Sequence, residues 1–499
     1  MINYINIVNN GIIPFGEIPV LQYDDFVSLN LDFLKNESNH CVIYYGLPVK
    51  DNIQLISCIA DDFDHNIKVF SSIIKRDDSL ISLSSENLAF EKFEREISEN
   101  FGIVFYKHPR PEPIRYSIDM FDKSKSIENY RFYDINSEQL HEVGVGPVHA
   151  GIIEPGYFRF ICNGEKILHL EIQLGYQHRG VEKLFIDKKN INQLTILSES
   201  IAGDSVAGHS TSFINLHEVL SGYTRPEGLN FVRTIAQEIE RIALNTGNLS
   251  NLSVDIAYQL GNAVLSRLRT PIINFFQEWC GNRTGRGLIR EADNYFPFNE
   301  VLKNKLLLIL TDYEKDFKDI CENLFHLPSA LSRFEKTGII TVEQSLSSGF
   351  VGTTARVTGL KRDIRSSHPY NYYKNIEHQP VIKRHGDVYS RARIRRDETL
   401  QSIEYIRNML ENVPDTNIHD KIANKLYPNM FGISLTEDWR GEICHTAITD
   451  EMGKIKHYKL KDPSFHNWLA LALCVRNNEI SDFPVCNKSF DLSYCGHDL

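Results

Sequence analysis

Apolar and polar positions change their period along the chain. CVIYYGLPV (41–49) and HNIKVFSSII (65–74) are β-branched and aromatic runs that predict strands. ENLAFEKFEREISENFG (86–102) places Phe90, Phe93 and Ile97 on one face, which predicts a helix ended by Gly102. Pro109, Pro111 and Pro113 open a charged, aperiodic stretch, 107–132, that reads as a linker with a boundary near 120–140. Beyond it, 156–175 alternates as two strands turning at Asn163-Gly164, a strong hairpin dipeptide. The period then becomes helical. Leu229, Val232, Ile235, Ile239 and Ile242 stand at helical spacing within 227–250, and 301–325 and 397–413 repeat the pattern. Short strands return near 441–460. No internal repeat is visible.

Composition narrows the class. The chain has 499 residues, 42% hydrophobic and 24% charged, enough apolar material for large cores. Its net charge of −11 argues against a broad electrostatic grip on nucleic acid. The nine cysteines form no CxxC and no zinc-finger spacing, so buried thiols in a reducing compartment are expected. The N-terminus lacks the cationic and small-residue features of a signal peptide. The strongest apolar run, 305–313, falls far short of the roughly 20 residues a membrane span needs. A cytoplasmic chain that meets a membrane only through partners is the expectation.

Four segments combine glycine with ionisable side chains: 146–160, 175–185, 200–213 and 489–499. Glycine allows close backbone approach, and the charged groups suit proton or polar-ligand handling. The same composition also fits turn chemistry with surface ion pairs.

Taken together, GPVH…EPG (146–156), HRGVEKL (178–184), GFVGTTARVTGLKRDIRSSHPY (349–370), EDWRGEICH (437–445) and KDPSFHNW (461–468) carry a resemblance. The chain resembles the large subunit of group 4 (formate-hydrogenlyase-type, energy-converting) nickel–iron hydrogenases and the 49-kDa subunit of respiratory complex I. FEREISENFGIVFYKHP (93–109) resembles the complex I 30-kDa subunit. The resemblance implies an α+β chain. Residues 1–120 would be a small α/β, 30-kDa-like domain and 121–140 a linker. Residues 141–499 would be a mainly helical domain with small β elements, like the hydrogenase large subunit and the 49-kDa chain.

The departures matter as much. In a nickel–iron large subunit, two cysteine pairs supply the thiolates that hold the metals, because soft, strongly donating sulfur suits Ni and Fe. Here the aligned positions are Ala202, Ser205, Ser493 and Gly496. Cys495 stands one residue out of register. The pattern resembles the hydrogenase-related group that lacks these cysteines, so no nickel–iron centre and no cofactor held by this chain alone are expected.

The resemblance also assigns roles. Glu154 matches a proton-transferring glutamate. Asp204, His209 and Arg440 are candidates to line a cavity, with Asp491 or Glu154 as partner for the arginine. His149 sits where the 49-kDa subunit has its quinone-head loop, although the second histidine of that loop is missing. His178 and Arg179 belong near a partner's iron–sulfur cluster. Glu182 matches a Mg²⁺ ligand whose C-terminal companion is Leu499 here. His466 and Asp462 read as fold-supporting.

The implied function is a peripheral-arm subunit of a complex I/hydrogenase-like oxidoreductase at the inner face of the cytoplasmic membrane. It would couple electron transfer, with quinone as a candidate acceptor, to ion translocation. The implied partners are a small 4Fe–4S subunit and antiporter-like and other integral membrane subunits. NAD binding would belong to the whole complex, since this chain has no GxGxxG after a strand. The alternatives are a non-catalytic scaffold that regulates the membrane subunits and, further off, a working nickel–iron hydrogenase.

Overall fold

A computed structural model of the chain describes residues 3–76, 78–115, 121–151, 153–188, 190–422 and 425–499. The N-terminal part is built on an antiparallel meander, Asn39–Val49, Asn52–Asp61 and Asn66–Lys75; the first and last are the two predicted strands, and Asn52–Asp61 joins them as a third. Its last strand also pairs with Ile5–Ile7 and Val20–Leu21. Successive side chains point to opposite faces of a strand. Tyr44 therefore meets Phe26 of the helix Tyr23–Leu34 and Phe93 of the helix Glu91–Phe101. Its neighbour Tyr45 instead stacks on His457, 5.1 Å between ring centres, in the C-terminal part of the chain. The predicted glycine stop is real: Gly102 adopts φ +74° and closes the helix Glu91–Phe101.

A second sheet joins the two ends of the chain. Its order is Ile455–Lys461, Glu442–Thr449, Met430–Glu437 and Gly11–Pro14, all antiparallel. The last strand comes from the N-terminal region and pairs Ile13 with Phe431 and Gly11 with Ile433. The N-terminal core likewise takes in Ile364, Tyr370, Phe431, Ile433 and Phe465. Within 121–140 there is one short 3-10 turn, Ile127–Asn129, before the strand His141–Val145. The composition shift there is thus a stretch of irregular chain, and the apolar cores on its two sides interlock.

The hairpin after it is Tyr157–Asn163 with Lys166–Gln173. Asn163 pairs with Lys166, so the two loop residues are Gly164 and Glu165, with Gly164 at φ +58°. The turn sits one residue later than the dipeptide suggests, and a register irregularity stands at Ile161/Cys162 before it.

The long helices are Val206–Leu220, Glu227–Asp255, Gln259–Cys280, Glu300–His326 and Val388–Glu411. Their apolar faces meet in one core that also holds the hairpin's Phe158 and Phe160. Charge is buried here in pairs. Arg356 binds Glu398 at 2.7 Å and Glu437 at 2.6 Å, Arg365 binds Asp363 at 2.8 Å, and Arg233 binds Glu218 at 2.6 Å. An isolated charge at these depths would cost several kcal/mol, about the effective penalty per buried ion; the Arg233–Glu218 pair answers that cost by tying the helix Val206–Leu220 to Glu227–Asp255. The fold is α+β, with an N-terminal sheet region followed by a helical region carrying small sheets.

Candidate functional site

A cavity of about 530 Å³ opens between the hairpin and the C-terminal segment. Val145, Phe158, Phe160, Phe483 and Leu492 form its apolar wall. His149, Glu154, Asp204 and Arg440 line it too, so four residues singled out from sequence converge here. Asp204 and Asp491 also line a second, more polar cavity of about 350 Å³ walled by Asn248, Ser250, Ser266 and Arg269. Asp204, Arg440 and Asp491 thus stand between an apolar chamber and a polar one.

Arg440 is buried and fully engaged. Its guanidinium binds both carboxylate oxygens of Asp204, at 2.8 Å on one side, donates to the Asp491 carbonyl, and lies 4.1 Å over the Trp439 ring. The partner of this arginine is therefore the Asp204 side chain; Asp491 contributes its backbone. A two-pronged arginine–carboxylate pair is among the stronger charge-assisted contacts. Glu154 accepts from the Tyr494 amide at 3.3 Å. Burial pushes the neighbouring Cys495 thiol up to about 12, and the Glu154 carboxylate adds to that shift. At pH 7 Cys495 is a neutral thiol, the form that neither attacks nor ligates. His149 is tied through Nε2 to the Gly156 carbonyl at 2.8 Å, which fixes its ring against the wall.

The four positions aligned with metal ligands do not line the cavity; Ser205 and Ser493 adjoin residues that do, Asp204, Leu492 and Tyr494. Ala202 is fully buried. Ser205 donates to Asp438 at 2.6 Å. The Ser493 hydroxyl accepts from the Gly496 amide at 2.9 Å and caps the last helix, Tyr494–Asp498. At Gly496 there is no room for a side chain: a Cβ would stand 2.6 Å from the Asp462 carboxylate and 2.9 Å from Ser493 Oγ. Two further carboxyls crowd the site. Glu240 accepts from the amides of Ala207 and Gly208 at the start of the Val206–Leu220 helix, and burial pushes both Glu240 and Asp438 up. Among the described residues, no group of three or more His, Cys, Asp and Glu side chains is arranged to hold a metal ion.

His209 is not among the residues lining the cavity. It is fully buried one layer behind, with Nε2 3.0 Å from Asp462 and Nδ1 3.1 Å from His445. His178 and Arg179 are also away from the cavity. His178 meets the Asp498 carbonyl at 2.8 Å. Arg179 is exposed and clasps the carbonyls of Ser200, Ile201 and Cys495, binding the two segments that lack cysteines at the aligned positions to each other. At Glu182 an ammonium is already present: Lys459 lies 2.9 Å from it and 2.6 Å from Glu96. Burial would raise the Glu182 carboxyl, but Lys459 and Arg115 hold it below the usual carboxylate range. A lysine here does the charge work expected of a cation.

Asp438, Glu240, His445, Tyr458 and Lys459 carry no distinguishing signal in the sequence. Asp438 and His445 are visible there only as the second and last residues of EDWRGEICH; the others sit in runs with no particular spacing.

Comparison with known proteins fits this architecture. Residues 255–432 match the family described as respiratory-chain NADH dehydrogenase, 49 Kd subunit. The chain is 25% identical over 496 residues to hydrogenase-4 component G of Escherichia coli, covering 96% of this chain and 83% of that protein. It is 26% identical over 366 residues to the alpha chain of the membrane-bound hydrogenase of Pyrococcus furiosus, covering 70% and 85%. It is 26% identical over 391 residues to an NADH-quinone oxidoreductase chain of Cytophaga hutchinsonii, covering 72% and 98%. The chain therefore resembles both the group 4 hydrogenase large subunits and the complex I 49-kDa subunit. No helix among the described residues is long and apolar enough to cross a membrane.

Proposed function

We propose that this chain is a peripheral-arm subunit of a membrane-bound redox complex of the complex I/hydrogenase type. Its cavity takes a quinone-type acceptor in place of a nickel–iron centre, and its role is to couple reduction of that acceptor to ion movement by membrane partners. The quinone accepts two electrons from the cluster of a small 4Fe–4S partner and two protons, becoming the quinol. The exposed Arg179 face is where that partner would dock.

One observation carries the reading. At the four positions where thiolates would converge, the side chains are absent or already bonded, and the Asp462 carboxylate fills the space a cysteine at Gly496 would need. Serine, alanine and glycine offer no anionic sulfur, so the residues present do not fit a nickel–iron centre. The apolar wall of Phe158, Phe160 and Phe483 suits a flat aromatic ring, and Glu154 stands on the same cavity to pass it a proton.

The scaffold reading draws support from one feature: Arg440 is fully engaged within the chain by Asp204 and the Asp491 carbonyl. The intact complex separates the two. Turnover of a short-chain quinone, lost or slowed at least about tenfold in E154Q, supports the acceptor role. No turnover with any donor, together with intact assembly, would leave the scaffold.

A further inference from the structure

Behind the cavity wall lies a row of four side chains that the acceptor reading does not use. Asp462, His209, His445 and Tyr458 are each at most 2% exposed. They are joined in sequence by contacts of 3.0, 3.1 and 2.5 Å. They come from the helix Val206–Leu220, the strands Glu442–Thr449 and Ile455–Lys461, and the cap of the helix Pro463–Cys474.

Hydrogen-bond bookkeeping gives the row a direction. An ionised Asp462 only accepts, so His209 carries its proton on Nε2. His209 Nδ1 then accepts from His445 Nε2, and His445 Nδ1 accepts from the Tyr458 hydroxyl. Each hydrogen bond in the row therefore points toward Asp462. Burial holds His445 well below its usual range, which keeps it in the neutral form this order requires. At Asp462, burial opposes ionisation, but the His209 hydrogen bond and the Arg440 guanidinium hold the carboxyl low.

Both ends of the row lead onward. Asp462 Oδ2 and Ser493 Oγ lie within 3 Å of one point, the place a Cβ on Gly496 would take. The absence of a side chain at Gly496 is what lets the two oxygens approach that point. Ser493 Oγ is 3.4 Å from Cys495 Sγ, and the Cys495 thiol bonds Glu154 on the cavity. At the other end, Tyr458 stacks on Phe185 at 4.2 Å, three residues from Glu182, whose side chain is 24% exposed and faces the phenol electrostatically. The charged and titratable groups facing the row are Arg440 and His497 at Asp462, and Glu182 and Cys444 at Tyr458.

We propose that Tyr458, His445, His209 and Asp462 form a proton relay that feeds the Glu154 side of the cavity from the Glu182 face. One proton from solvent, taken up at the partly exposed Glu182 carboxylate, enters at Tyr458 Oη. The phenol proton passes to His445 Nδ1, the His445 Nε2 proton to His209 Nδ1, and the His209 Nε2 proton to Asp462. Asp462 hands a proton to Ser493 Oγ, Ser493 its own to Cys495 Sγ and the Cys495 thiol its own to Glu154, so one proton has entered and one has arrived at the cavity, with no electron moved. The proposal rests on the acceptor reading only in that reduction in the cavity consumes the proton. Were the row merely structural, apolar groups of equal volume would serve at lower cost, since buried titratable groups need every partner in place.

The test uses the intact complex and two separate readouts. Infrared difference spectra at stepped pH follow the histidine-ring and Asp462 carboxyl bands, while binding of a short-chain quinone is measured alongside. Y458F deletes one hydroxyl and keeps the ring on Phe185. The relay requires that Y458F move the histidine and carboxyl bands together and slow proton uptake on reduction at least about tenfold. Bands in Y458F identical to wild type would overturn it, whatever the quinone does. Should Y458F fail to assemble, D462N takes its place, with displaced histidine bands expected and unchanged ones overturning the relay. Absence of quinone binding with coupled bands intact would count against the acceptor reading and leave the relay standing.

Discussion

At Gly496 one missing side chain has two effects. It removes a ligand position, and it gives Asp462 the space to reach His209. Adding even a methyl group forces the Asp462 carboxylate off His209. G496A is expected to destabilise the protein by about 1–3 kcal/mol, read as a lower unfolding temperature of the purified chain. A neutral effect would mean that Asp462 yields freely. His40 offers a pH test. Burial alone would depress its imidazole, yet the carboxylates of Asp62 and Glu442, the latter 2.6 Å away, raise it to about 9. Because the folded value lies above the ordinary 6.5, the stabilisation is fully present below pH 6.5 and fades as pH rises through 9. Wild-type stability should fall across that window by on the order of 3 kcal/mol, and H40Q should flatten the fall in thermal melts taken from about pH 6 to 9. An equal slope in both proteins would assign the loss to other groups.

Periodic elements are legible in the sequence and isolated contacts are not. The helix Glu227–Asp255 follows from Leu229, Val232, Ile235, Ile239 and Ile242, because burying one stripe is what a 3.6 period encodes. Gly102 declares the end of its helix. G102A should cost about 1 kcal/mol through the lost left-handed cap, with the Phe121 ring standing where the new Cβ would go, and a chemical-denaturation midpoint unchanged from wild type would show that the cap contributes nothing. Cavity residues Glu154, Asp204, His149 and Arg440 are legible as glycine-flanked charges. The row behind them is not: His209 and Asp462 stand 253 residues apart, and nothing local in either segment announces the other. The strand Gly11–Pro14 is hidden for a similar reason. Four residues carry too short a pattern to show that their partner is Met430–Ile433.

For the whole molecule, that pairing means the halves depend on each other. Removing 1–140 would strip the strand Gly11–Pro14 from the edge of Met430–Glu437 and uncover Phe431, Ile433 and Phe465. An exposed apolar edge strand invites aggregation. A fragment spanning 141–499 is therefore expected to aggregate or to unfold without a cooperative transition, as seen by calorimetry, whereas a sharp, reversible melt would show two independent domains. The same interlocked body carries the cavity and the exposed Arg179. On the proposed function, internal carboxylates stand where a metal centre would sit, beside a chamber suited to an organic acceptor. The most direct test of this claim is the nickel-to-chain ratio of the purified intact complex, by elemental mass spectrometry. Nickel far below stoichiometric, with quinone turnover retained, is the predicted result; one nickel atom per chain would contradict the claim.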